Sequence, residues 1–291
     1  MNGPDRHITP PAHQVLPRLL WPVVLVLLLA VNSIAGVLVS PTIVFTSDKK
    51  PTGRLTVVNQ GNEDQEVTID FSFGLPASDS LGNVFVRFQD SAVTDPRSAL
   101  GWVKAFPRAV IVQPDESQTI RIMAHPPQGL PDGEYWARVM ISSKKAAPPP
   151  VKMLDEEGTI GTQLHMVSRQ AIMFKHRQGD LVCNLELNSA TARLHDSLVE
   201  VMIDMTNLGN VSYMGMLECT LLDRDHRQVS RNLLKMAVYR DLLRRIDLPI
   251  RESKYHPPFK VQIRISNEGR NDVQPQDMIP GNTIELVAAV E

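Results

Sequence analysis

The chain has 291 residues, 43% of them apolar and 21% charged, with a formal net charge of −2. That length fits two domains at the usual ~100–200 residues each, and the apolar share excludes a chain too polar to build cores. The near-neutral balance gives no sign of a nucleic-acid or anionic-membrane partner, either of which calls for a basic face.

The N-terminus is not part of the fold. Arg6 and Arg18 make a positive segment opposed only by Asp5, an apolar run follows from Leu19 to Val31, and Ser33-Ile34-Ala35 ends it with small residues. This order predicts a secretory signal over residues 1–35, cleaved after Ala35. The run, interrupted by Pro22, is shorter than the ~20 apolar residues a spanning helix needs. Cleavage removes two basic residues and one acid, so the exported chain carries a formal charge of −3.

From there the chain reads as short strands. Val67, Ile69, Phe71 and Phe73 alternate with polar residues, as do Ile120 and Ile122, and then Tyr135, Ala137, Val139 and Ile141. Period-two alternation means one buried and one solvated face, the signature of antiparallel sheets. Asn59-Gln60-Gly61-Asn62, Gln113-Pro114-Asp115 and Leu130-Pro131-Asp132-Gly133 supply turns between the runs. The stretch Ser142–Gly158, with Pro148-Pro149-Pro150, predicts a long exposed loop, since consecutive prolines cannot join a ladder. A long strand, Gln163–Phe174, follows it.

The pattern restarts after Gln178-Gly179-Asp180. A strand is expected over Leu181–Leu187, then Val199, Val201, Ile203 and Met205 alternate, then Phe259, Val261, Ile263 and Ile265, and last Ile284, Leu286, Ala288 and Val290. Met236/Val238 and Ile246/Leu248/Ile250 predict two strands joined at Arg240–Leu243. The fold class is therefore all-β, with two tandem immunoglobulin-like sandwiches over residues 36–178 and 179–291. The two cysteines, Cys183 and Cys219, each sit in phase with apolar neighbours. An exported protein permits a disulfide between them, and two buried thiols would give the same pattern.

Several blocks together resemble the opening domain of PapD-like periplasmic chaperones of pilus and fimbrial assembly. They are Ile43-Val44-Phe45, Arg54 to Asn59, Pro107 with Val110 to Pro114, Gln118 to Ile122, and Gly129 to Val139. The resemblance covers roughly residues 37–177. It implies a periplasmic, non-enzymatic chaperone that takes no cofactor and no small-molecule substrate. It also implies a partner, an exported pilin-like subunit, held by β-augmentation, in which a lent strand supplies main-chain hydrogen bonds and alternate side chains. Gln163–Phe174 occupies the lending position, so Leu164, Met166, Ser168, Ile172 and Phe174 are the candidate partner-strand contacts. The family clamps the subunit's C-terminal carboxylate with an arginine and a lysine. Thr42 stands at the arginine position and Ala171 or Ile172 at the lysine position, which leaves Thr42, Arg169 and Lys175 as candidate carboxylate contacts. Met205 to Gly215 is similar to bacterial immunoglobulin-like modules.

No motif in the chain calls for catalysis or a metal. Asp223-Arg224-Asp225-His226 holds possible ligands, but between Leu222 and Val229 it reads as a solvated hairpin turn. The alternative function is a structural or adhesive cell-surface protein with tandem immunoglobulin-like modules. A chaperone stays soluble and binds one subunit, whereas a surface protein fractionates with the outer membrane or the medium.

Overall fold

The computed structural model describes residues 36–89, 95–146, 166–251 and 254–291. The expected signal, residues 1–35, lies outside the described residues, as do Leu164 and the proline-rich segment 147–165. Among the described residues the regular structure is β-strand apart from one 3-10 turn, Pro275–Asp277.

The first half contributes ten strands: β1 (Val37–Ser40), β2 (Ile43–Ser47), β3 (Thr52–Asn59), β4 (Gln65–Ser78), β5 (Val84–Gln89), β6 (Val103–Phe106), β7 (Ala109–Val112), β8 (Ser117–Ala124), β9 (Gly133–Lys145) and β10 (Val167–Gln178). They form two sheets, ordered β1-β3-β8-β6 and β2-β10-β9-β4-β5, with β7 also on β4. Pro41 separates β1 from β2, so the first strand serves both sheets. The alternating residues fill the space between the layers: Leu55, Val57, Val67, Ile120, Ile122 and Val139 are fully buried. Tyr135 anchors the entry to β9, its hydroxyl donating to the Pro131 carbonyl at 2.6 Å. That is the tyrosine-corner contact of immunoglobulin-like sandwiches. Ser142 to Lys145, expected as loop, continue β9, because they pair with both β4 and β10.

The second half contributes β11 (Leu185–His195), β12 (Leu198–Asn207), β13 (Tyr213–Leu222), β14 (Gln228–Val238), β15 (Asp241–Pro249), β16 (Lys260–Ser266) and β17 (Ile284–Ala289). One sheet is ordered β11-β12-β15 and the other β14-β13-β16-β17. Val199, Val201, Ile203, Met205, Leu217, Cys219 and Leu248 lie between them, fully buried. The stretch 233–248 is two strands, as its alternation predicts, but the connection is at Tyr239 and Arg240 rather than Arg240–Leu243, because Asp241 to Leu243 pair with β12. These strands do not pair with each other: β14 joins β13 and β15 joins β12. The first strand of this half starts at Leu185 rather than Leu181, since the preceding residues go to an isolated bridge between Cys183 and Gly281.

Gly36–Glu291 is a single compact unit. The expected junction falls between β10 and β11, at Gly179. Its φ of +65 is a left-handed conformation, and a Cβ there would strike the Asp132 carboxylate. A second link comes from the hairpin β4–β5, which reaches the free edge of β15. Its Gly82 carbonyl accepts from Arg245 N–H at 3.0 Å, and its Ser78 hydroxyl oxygen accepts from Leu243 N–H at 2.9 Å. Phe73, Trp136, Met173 and Tyr239 form a small apolar cluster between the sandwiches, with the Trp136 and Tyr239 rings edge-to-face at 5.0 Å.

Ile203→Ala empties a site that is 0% exposed in the middle of the second core. We expect a loss of about 2–5 kcal/mol. Denaturant unfolding followed by circular dichroism checks it, as a lower midpoint at unchanged slope.

Candidate functional site

The free edge lies on β10. It pairs antiparallel with β9 along its whole length, from Val167 opposite Lys144 to Gln178 opposite Gly133. On its other side β2 runs parallel to it only from Met173 to Arg177. The Met173 N–H donates to the Thr42 carbonyl at 3.1 Å, and there the cover stops because Pro41 sends the chain to the other sheet. Upstream, Val167 to Ile172 has no strand on that side among the described residues. Met166 and Val167 at its head are 70% and 58% exposed. One side-chain contact touches the edge, from Gln170 Nε2 to the Val37 carbonyl at 2.5 Å.

The expected contact residues divide. Met166 precedes the strand and Ser168 is exposed on it, so both are open to a partner. Ile172 and Phe174 are 5% and 0% exposed and belong to the sandwich's own core. Along one phase of β10 the side chains point between the sheets, and only the upstream end of that phase lies beyond the core. The strand also begins and ends four residues later than Gln163–Phe174. Its continuation, Lys175-His176-Arg177-Gln178, is polar in sequence and almost entirely buried.

That burial is explained by Glu134, which opens β9 and is itself 0% exposed. Glu134 and Trp136 point away from the first core, on the face of the sheet that also carries Lys175 and Arg177. Lys175 Nζ stands 2.9 Å from Glu134 Oε1 and Arg177 Nε 2.8 Å from Oε2. Trp136 Nε1 donates to Oε1 at 2.7 Å. From the second sandwich, Ser212 donates its hydroxyl to the same oxygen at 2.6 Å and accepts from Lys175. Tyr239 presents its ring to the Lys175 ammonium at 4.6 Å. Arg177 donates to the Asp277 carbonyl and lies over the Phe45 ring at 4.5 Å. Lys175, a candidate carboxylate contact, is thus a sealed ion-pair partner with 1% side-chain exposure.

The other candidates stay apart. Thr42 is exposed, and its carbonyl is engaged by β10. Arg169 is exposed near the head of β10 and donates to Ser142 Oγ at 3.1 Å. Beside Arg177, a cleft of about 820 Å³ opens between β2 and the loop after β16, lined by Phe45, Lys50, Arg54, Gln178 and Asp277 among others. Cys183 and Cys219 are free, buried thiols in this structure. Burial pushes the Cys219 thiol up to about 12 and also raises Cys183, so both are inert. Asp223 to His226 is the hairpin turn between β13 and β14, where Asp223 Oδ1 accepts from the Asp225 and Arg227 N–H groups at 2.9 Å. No cluster of three or more metal-ligating side chains occurs among the described residues, and no helix there is long and apolar enough to cross a membrane.

Sequence reasoning missed Glu134, Ser212 and Tyr239. One signal was present. Glu134 sits in the Trp136 phase of a strand whose other phase is apolar from Tyr135 to Ile141, so an acid beside a tryptophan marked a second buried face.

Burial by itself would raise the Glu134 pKa. The Lys175 and Arg177 charges outweigh it, helped by hydrogen bonds from Ser212 and Trp136, and hold the carboxyl at about 2. Because the folded pKa lies below the ordinary glutamate value of 4.5, the stabilisation is complete above pH ~4.5 and is lost as pH falls toward ~2. Glu134→Gln should cost about 3–5 kcal/mol at neutral pH by stranding two buried cations. It should also flatten the acid limb of the stability–pH curve, and urea unfolding at a series of pH values between 2 and 7 reads both effects.

No family model matches the chain, and no curated protein matches it significantly. Solved structures with a similar fold include the YadV chaperone, 16% identical, with a TM-score of 0.43 over 87% of this chain and 98% of that one. A chain of the Salmonella enterica SafA pilin–SafB chaperone complex is 12% identical, with a TM-score of 0.41 over 87% and 96%. A chain of the CsuC–CsuE chaperone–tip adhesion subunit complex of Acinetobacter baumannii is 11% identical, with a TM-score of 0.42 over 88% and 98%. These likenesses are of fold and extend over most of the chain.

Proposed function

We propose that this protein is a periplasmic chaperone that holds an exported, pilin-like subunit by adding a strand along the upstream half of β10. The observation that carries the reading is the half-covered edge. Val167 to Ile172 is rigidly paired to β9 yet bare where β2 stops, and its head exposes Met166 and Val167. A sheet edge held in register on one side templates a strand on the other. Ile172 and Phe174 act from beneath, by keeping the edge straight.

Arg177 lines the cleft, and its buried Nη2 has no hydrogen-bond partner among the described residues, so a small shift of the guanidinium would present it to a carboxylate there. Lys175 and Arg177 together exceed the single charge of Glu134, so the cluster keeps one net positive charge. Arg177 replaces Thr42, Arg169 and Lys175 as the proposed contact for a partner's C-terminus.

The test uses the subunit that co-purifies with the exported protein, identified by mass spectrometry. Met166→Asp with Val167→Asp removes two apolar anchors, each worth ~1.5–3 kcal/mol when buried. Binding should weaken by at least ~100-fold, since every ~1.4 kcal/mol is tenfold. Unchanged binding by this double variant, with its fold verified by circular dichroism, would refute strand addition. Recovery of the protein in the outer membrane or the medium, with no bound subunit, would favour the structural or adhesive alternative. Amidating the subunit's C-terminus reports on Arg177 separately.

A further inference from the structure

The outer face of the sheet β1-β3-β8-β6 points away from the first core, and its charges are unbalanced. Its four strands contain no aspartate or glutamate but carry Arg54, Lys104 and Arg121, in a chain whose formal net charge is −2. All three are exposed, and none forms an ion pair among the described residues. They point outward because their neighbours Leu55, Val103, Ala105, Ile120 and Ile122 point into the core.

The register sets these cations side by side. Arg54 lies directly opposite Arg121 across β3 and β8, and Arg121 lies opposite Phe106 across β8 and β6. Lys104 stands opposite Met123, one step along the same face. Directly opposed side chains have Cβ atoms about 4.5–5.5 Å apart, and like charges there are destabilising. The sheet keeps this repulsion although an acid at either position would relieve it. Phe106, beside the arginines, is 66% exposed.

We propose that this face docks an acidic segment of a partner protein, with carboxylates on Arg54 and Arg121 and an apolar side chain on Phe106. Arginine suits the first role because its planar fork takes a carboxylate with two hydrogen bonds. Thr56 and Thr119, the next opposed pair on the face, add hydroxyls for polar backbone or side-chain groups. A membrane is the poorer occupant. The exposed apolar residues of the face, Leu38 and Phe106, sit on its two edge strands, about 20 Å apart counting three strand spacings and the offset along the strands, too few and too scattered to insert together.

The probe is a short fluorescein-labelled peptide with glutamates flanking a leucine, titrated into the exported full chain by fluorescence anisotropy. Binding is expected at ~10 mM salt and should fade by ~0.1 M, as the screening length falls from ~30 Å to ~10 Å. Arg54→Ser with Arg121→Ser should weaken it about tenfold or more, the effect of ~1.4 kcal/mol. The matched pair Arg231→Ser and Arg264→Ser, which removes two cations already held by Glu218, Glu268 and Glu285, should change it less than about twofold. Arg121→Thr alone should raise the melting temperature at low salt by removing the opposed charge. The proposal is overturned if the peptide does not bind, if both double variants weaken it equally, if phosphatidylglycerol vesicles bind and the peptide does not, or if Arg121→Thr lowers the melting temperature.

Discussion

Glu134 stands with no exposed surface at the meeting of two sandwiches, and much of the architecture follows from how its charge is met. Taking a carboxylate out of water costs several kcal/mol unless its oxygens are fully ligated. Here both oxygens are engaged, Oε1 by Lys175, Trp136 and Ser212, and Oε2 by Arg177. Two of those donors lie on β10, one on β9 and one on the second sandwich. The ligation is therefore complete only when the second sandwich is seated. Tyr239 completes the seat, its ring facing the Lys175 ammonium and meeting the Trp136 ring edge to face. An apolar interface of the same size would allow sliding, whereas five charged and polar groups with fixed directions define one arrangement.

The same arrangement shapes the free edge. The downstream half of β10 is gripped on every side: by β9, by β2, by the core through Phe174, and by the second sandwich through Lys175 and Arg177. Its upstream half keeps only β9 and the fringe of the core. One strand is thus clamped at one end and open at the other. An open edge with a mobile backbone would lose entropy on pairing, while an edge extended from a clamped strand is already ordered. The switch of the first strand from one sheet to the other at Pro41 decides where the cover ends.

Much of this was legible in the sequence, and the failures have physical causes. Alternation located Val199 to Met205 and Tyr135 to Ile141 because one face of each strand meets a core and the other meets water or polar groups. It failed on Lys175 to Arg177, where both faces are buried and the second is lined with charge, so the strand reads as a polar terminus. It also placed Ile172 and Phe174 on the binding side. A strand's inward phase looks alike whether it fills its own core or a partner's, and only the position of β2 distinguishes the two. Ser142 to Lys145 reads as loop because hydroxyls and lysines are poor strand formers, although pairing on both sides overrides that preference.

Net charge misled in the same way, because it averages over faces that never meet. The chain is close to neutral, yet its acids cluster on turns and on the second sandwich, where many are matched: Glu218 with Arg231, Asp272 with Arg270, and Glu285 with Arg264. The outer sheet of the first sandwich has cations and no acids, and the register opposes two of them. Pairing registers are set by the core, since a slip of one residue would turn Leu55 and Ile120 outward. The arginines therefore cannot separate by sliding. The repulsion between Arg54 and Arg121 is fixed by the packing beneath it, and only a residue change or an anion laid across the pair removes it. The two faces of the first sandwich thus differ in kind. Toward the second sandwich a surplus of cations is neutralised in part by Glu134, within the chain itself. On the opposite face the surplus is left for something outside the chain to neutralise.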